Sequence, residues 1–309
     1  MSSLSHYVLR RVGLALPTLF GVTLVIFLMV RLIPGDPARI IAGVQASDEE
    51  VTRIRRELGV DRPIAVQYAR FVGRMLRGDL GLSAVTRAPV LEEIGLRLRP
   101  TGLLALSSTV VATAVGLAAG IVSATRQYSV LDYLVMTVAL CGVSIPVFWL
   151  GIMLMLVFSV HLHWLPAGGY GGAAHFVLPT LTLAAFSIAI IARMTRSSLL
   201  ETFNQDYVRT ARAKGVRRPA VILRHALKNA LIPIITVVGL QFGVLLGGAI
   251  LTETTFAWPG MGRLLVNAIT ARDYPVIQGV VLTFAVVFTV VNLAVDLLYA
   301  YVDPRIHYG

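Results

Sequence analysis

The sequence predicts an all-α polytopic membrane protein, with six transmembrane helices and a helical extracytoplasmic insertion between the first and the second. Three observations predict it. The 309 residues are 56% hydrophobic and only 14% charged, against roughly 25% charged in soluble domains, and the mean hydropathy is +0.78. Apolar runs long enough to cross roughly 30 Å of hydrocarbon recur along the chain. Most cations of the short connections fall in the loops expected inside, and the loops after spans three and five carry few, the bias that orients spans with their cations inside.

Arg10 and Arg11 precede an apolar run too long for a signal-peptide core and without a small-residue cleavage site, so a retained first span is expected at about 12–33. Pro34-Gly35-Asp36-Pro37 stops it. Residues 34–99 hold eleven arginines and nine acids, a balance expected of a folded helical cap. Ser47 and Glu50 have the spacing of a capping box, Val51, Ile54 and Leu58 share the following face, and Gly59 can close that helix. A second helix is expected from Pro63 to Gly78 and a third over 90–98. Residues 100–309 form the five-helix core. Its spans fall near 101–124, 132–160, 176–192, 232–251 and 274–301, and Asp303-Pro304-Arg305 ends the last. Gly116 and Gly120 have the spacing that admits a close neighbour, and Ser144-Ile145-Pro146 is expected to kink the third span. Gly239, Gly243 and Gly247 predict a smooth face on the fifth, open to a second pore-forming subunit or to ordinary internal contact. Both termini are expected on the cytoplasmic side of the plasma (inner) membrane.

The stretch at 206–233 holds seven cations, Arg209, Arg212, Lys214, Arg217, Arg218, Arg224 and Lys228, against one acid, Asp206. It marks a cytoplasmic loop, at about 198–231. Read as a helix, it places Ala211 and Gly215 on one bare face rimmed by guanidinium groups, suited to docking in a partner's groove. An orientation signal lying near anionic headgroups accounts for the same charges. Nucleic acid is not expected: Tyr207 is the one aromatic in the stretch.

Several chemistries are excluded. Neither lysine, Lys214 or Lys228, follows a glycine as a P-loop requires, so no ATP binding of that kind is expected. Cys141 is the single cysteine, which forbids an intrachain disulfide. His161, His163 and His175 share one uncharged loop without a carboxylate or thiol beside them, and no metal or other cofactor is expected. No catalytic residue is expected either; neither G-x-S-x-G nor H-E-x-x-H occurs. Asp132 sits at a span edge and Asp296 two turns from an end, so the titratable relay of a stand-alone proton-coupled carrier is missing. Ser144, Gln241 and Asn292 are the candidate pore-lining polar groups, with Gln241 and Asn292 equally open to bonding between helices.

The motifs resemble, in order and over nearly the whole length, the permease subunits of ABC-type importers of dipeptides and oligopeptides, specifically the first permease of the pair. They are Pro34-Gly35-Asp36-Pro37, Gly78-Asp79-Leu80-Gly81-Leu82-Ser83, Asp206-Tyr207-Val208-Arg209-Thr210-Ala211-Arg212-Ala213-Lys214-Gly215, Arg224-His225-Ala226-Leu227-Lys228-Asn229-Ala230-Leu231-Ile232-Pro233, Glu253-Thr254-Thr255-Phe256-Ala257-Trp258-Pro259-Gly260-Met261-Gly262, Arg272-Asp273-Tyr274-Pro275 and Asp303-Pro304-Arg305. The resemblance implies a type I ABC importer permease fold. It implies that Asp206, Arg209, Thr210, Ala211, Arg212, Ala213, Lys214 and Gly215 form a coupling helix, although the acidic first position of the family's Glu-Ala-Ala signature is Arg209 here. It also implies partners: a second permease, two ATPase subunits or modules that bind ATP and Mg, an extracytoplasmic peptide-binding protein, and membrane lipid around them. Asp79, Glu253, Phe256 and Trp258 are then candidates for the outer gate or binding-protein contact. Nickel, glutathione or haem as cargo would share this architecture.

Overall fold

A computed structural model describes residues 2–32, 38–39, 46–58 and 61–302. Pro34-Gly35-Asp36-Pro37, Gly59 and Asp303-Pro304-Arg305 lie outside the described residues. The elements are helices α1 (Ser2–Leu32), α2 (Asp48–Leu58), α3 (Ile64–Met75), α4 (Val90–Thr125), α5 (Val130–Ser144), α6 (Val147–His161), α7 (Ala173–Phe203), α8 (Asp206–Ala213), α9 (Arg218–Thr255), α10 (Met261–Thr270) and α11 (Tyr274–Val302). Among the described residues there is no β-strand beyond the single bridge between Leu82 and Pro89.

Among the described residues, four helices are long and apolar enough to cross a membrane: α4, α7, α9 and the part of α11 over Tyr274–Leu297. α5 and α6 make a fifth span if their arms, bent by 105°, are counted as one. The bend falls at Ser144-Ile145-Pro146. A proline disfavours the helical conformation in the residue before it, and here Ile145 is extended at φ −86°, ψ 127°. α1 carries a shorter apolar stretch, Gly13–Met29.

The chain forms two compact units. One comprises Gly102–Trp258 with Met1–Val8 and Val290–Gly309; the other comprises Leu9–Thr101 with Pro259–Thr289. In the first, α4 and α7 touch through the predicted glycines. A Cβ on Gly116 would lie 2.8 Å from Ile191 Cβ, and one on Gly120 only 2.5 Å from Thr195 Cβ. Only a residue without a side chain permits this approach. The smooth face expected on α9 is different. A Cβ on Gly239 would meet Val295 of α11 at 2.3 Å and Gly243 is buried, so both serve contacts within the chain; Gly247 alone faces open space.

In the second unit, Phe27 of α1 is buried and meets Tyr68 of α3 edge-on, 5.1 Å between ring centroids, while the Thr23 and Tyr68 hydroxyls lie 2.8 Å apart. α2 starts at the expected cap, with Ser47 Oγ accepting from Glu50 N–H at 3.2 Å. The helix expected to end at Leu98 does not end there: α4 runs on through Pro100 to Thr125. Two motifs far apart in sequence meet here. Asp273 accepts from Ser83 Oγ at 2.5 Å and from Ala84 N–H at 3.1 Å. It also caps α11 by accepting from Val276 N–H at 3.4 Å, where a carboxylate suits the helix N-terminus.

Candidate coupling elbow and translocation site

The elbow is a short helix closed at both ends. Gln205 N–H donates to Thr202 O at 3.1 Å and turns the chain out of α7. α8 then makes two turns, with Asp206 in the first and Arg212 in the last, as the helix dipole favours. Gly215 N–H donates to Arg212 O and Val216 N–H to Ala211 O, the paired bonds of a Schellman cap, with Gly215 in the left-handed region at φ 73°. Gly215 therefore terminates the helix and does not share a face with Ala211.

Ala211 is 7% exposed and, with fully buried Val208, joins a core that includes Leu199 of α7 and Val221, Ala226 and Ile234 of α9. The small-residue face thus points inward, onto the chain's own helices. Outward stand Asp206, Tyr207, Arg209, Thr210, Ala213 and Lys214. Arg209 and Asp206 pair at 3.6 Å in full exposure, an arrangement of small energetic weight. The Arg212 guanidinium sits 5.7 Å from the Phe203 ring centroid and Thr210 Oγ1 donates to Asp206 O at 2.9 Å.

A buried ion pair braces the same unit. Asp132, at the start of α5 and 2% exposed, accepts from Arg196 Nε and Nη2 of α7, both at 2.8 Å. Its remaining lone pairs take Ser123 Oγ of α4 and Tyr128 N–H at 3.0 Å. A carboxylate this deep is tolerable because every lone pair is used and the guanidinium is bidentate. The pairing spans 64 residues, beyond the reach of any short-range sequence pattern. Its one signal in sequence is that Asp132 is the sole acid between Glu93 and Glu201.

The candidate pore groups separate. Gln241 is buried and donates from Nε2 to Ser187 Oγ of α7 at 3.0 Å, a bond between helices. Ser144 is exposed at the break between α5 and α6 and donates to Leu140 O at 3.1 Å. Asn292 is half-buried on α11.

The candidate outer residues also separate. Asp79 is exposed and accepts from Gly81 N–H at 2.9 Å. Glu253, Phe256 and Trp258 are buried in the chain's own interior, so a surface role does not match their position. α9 ends on a second Schellman pair, Trp258 N–H to Glu253 O at 2.8 Å and Ala257 N–H to Thr254 O at 3.4 Å. That turn folds Trp258 back between Tyr170 and Phe176, edge-on at 4.8 and 4.6 Å. Phe256 O accepts from Gly169 N–H at 2.8 Å. A Cβ on Gly151 would come within 3.0 Å of the Phe256 ring.

Long apolar helices joined through glycines, with a seated basic elbow, define a polytopic membrane protein. Residues 116–308 match the family described as binding-protein-dependent transport system inner membrane component, and residues 4–97 match its N-terminal segment. The chain is 48% identical over 303 residues to the glutathione transport system permease protein GsiC of Escherichia coli K12, covering 98% of this chain and 99% of that one. GsiC of Salmonella paratyphi A gives the same figures. Among solved structures, the inward-facing MetNI methionine ABC transporter matches with TM-score 0.60 at 17% identity, over 68% of this chain and 96% of that one. An amino acid ABC transporter matches with TM-score 0.51 at 16% identity, over 70% and 94%. The chain belongs to this family: it is a permease subunit of an ABC importer, with the type I permease fold.

Proposed function

We propose that the chain forms half of the translocation route for small peptides, glutathione among them, and that α8 is the coupling helix gripped by an ATP-hydrolysing partner. The observation that carries the coupling role is the two-sided elbow. Val208 and Ala211 are locked into the core shared with α7 and α9, while Asp206, Tyr207, Arg209, Thr210, Ala213 and Lys214 are presented outward. A push on the outer side then moves α7 and α9 as a packed body, because close-packed interiors transmit displacement. Arg212 steadies the elbow over Phe203, and Gly215 sets its end.

The whole-length identity to glutathione permeases supports the cargo class. A second permease completes the route, two ATPase subunits or modules supply ATP and Mg binding, and an extracytoplasmic binding protein delivers the peptide. The arginine-rich connections lie on the cytoplasmic face of the inner membrane, with both termini. Ser144 and Asn292 contribute polar lining, and exposed Asp79 contacts the binding protein. ATP binding closes the ATPases, the elbows move, and the route opens alternately to either side.

The test is uptake by the assembled complex in proteoliposomes, using labelled glutathione and a set of dipeptides. ATP-dependent accumulation of at least one of them, requiring the binding protein, is expected. Accumulation of none of these peptides overturns the cargo reading.

A further inference from the structure

We infer that the elbow carries a binding site for one anionic phospholipid. A cavity of about 580 Å³ opens between the turn after α4 and the start of α9, and three guanidinium groups, Arg126, Arg212 and Arg218, line it with no acidic residue among the lining groups. A second hollow of about 340 Å³ shares Arg126, Arg218 and Ile222 with the first and continues over Ile121 and Leu223. The combined site has a cationic end and an apolar end.

Arg218 donates from Nη2 to Thr125 O at 3.0 Å, which fixes its head at the mouth of the cavity. A guanidinium has five donors, so this bond leaves capacity for phosphate oxygens. Arg212 is held over Phe203 and is likewise oriented. Leu223 is 58% exposed beside these cations. A large apolar side chain left open next to a ring of arginines fits the depth at which headgroup meets acyl chain. The phosphodiester of an anionic lipid satisfies the three arginines, and its acyl chain covers Ile121, Ile222 and Leu223. An acidic protein side chain or free phosphate would answer the charge and leave the apolar end uncovered.

The location gives the site a consequence. Its walls come from α4 and its following turn, from α7 and from the elbow, so an occupied site ties the elbow to α4. This rests on the reading that the elbow lies at the inner membrane face. Lipid retention is measured without cargo, so its failure is distinguishable from failure of the peptide reading.

The experiment purifies the assembled complex from nanodiscs of phosphatidylcholine containing phosphatidylglycerol, and quantifies the retained phosphatidylglycerol by native mass spectrometry. Wild type is compared with the double variant Arg126→Gln/Arg218→Gln and with Arg217→Gln/Lys228→Gln, which removes equal charge from exposed positions outside the cavity. At roughly tenfold per direct hydrogen bond to a charged group, the cavity variant is expected to lose retained phosphatidylglycerol about tenfold or more, and the control, which makes no such bond, less than about twofold. Excess inorganic phosphate is expected not to displace the lipid. Equal loss in both variants, no retained lipid in wild type, or full displacement by inorganic phosphate each overturns the proposal. Should the double variant assemble poorly, Arg126→Gln alone is expected to lose several-fold, and an unchanged level there is equally fatal.

Discussion

The two ends of α9 solve opposite problems. At its start, near Arg218, the chain presents cations outward and keeps only small or apolar side chains underneath: Ala211, Val221 and Ala226. At its end, Glu253, Phe256 and Trp258 are all turned inward, with Trp258 clamped between two aromatic rings. The first end leaves its cations open, as the proposed coupling role requires; the second is anchored within the fold. Under that proposal the helix, fixed at one end and pushed at the other, works as a lever, and both ends belong to the same compact unit. The elbow is held by many small contacts, whereas the far end depends on a few large ones.

That contrast can be broken or sharpened by substitution. The largest effect is expected for Trp258→Ala. Removing a fully buried indole costs about 4 kcal/mol, and loss of the folded complex is expected in thermal unfolding of purified material. Asp132→Asn comes next. It leaves Arg196 only 25% exposed and facing a neutral amide, at about 3 kcal/mol. Adding Arg196→Met to that variant is expected to recover much of the loss, and no recovery would show that the pair does not act as a unit. Gly120→Ala follows, at about 2 kcal/mol, because its Cβ would fall 2.6 Å from Ala192 O of the backbone. Gly247→Ala, facing open space, is expected to leave the isolated subunit's stability unchanged or slightly raised; a fall in complex yield would place a second subunit against that face. A comparably small effect on stability is expected for Arg209→Gln, roughly 0–1 kcal/mol for an exposed pair, measured by the same unfolding.

Local signals in the sequence survived folding. The Ser47 cap, the bend at Pro146 and the Gly116–Gly120 spacing each involve residues a few positions apart, and such short-range patterns read directly, although the partner that the glycines meet does not. Long-range choices did not read. The Asp132–Arg196 pair joins two spans, and no property of either residue names the other. Gly215 fell outside the helix because the chain closed α8 at Ala213, two residues short of the i, i+4 position that the spacing assumed. The aromatic motif at 256–258 has the polarity of an interfacial loop, and only its Schellman turn directs it inward. Pro100 would ordinarily end a helix, yet α4 continues through it.

The central claim is that the outward side of α8 is the surface a nucleotide-hydrolysing partner touches. Cys141 is the single native cysteine, so a Cys141→Ser background allows one reactive thiol to be placed at will. Ala213→Cys on the exposed side, in the assembled complex, is to be treated with a short lysine-reactive maleimide crosslinker, with Leu240→Cys on the exposed face of α9 as the comparison. An adduct of permease plus ATPase is predicted from position 213 and none from position 240. Absence of any such adduct from position 213, in a complex that still hydrolyses ATP and imports its cargo, would contradict the account.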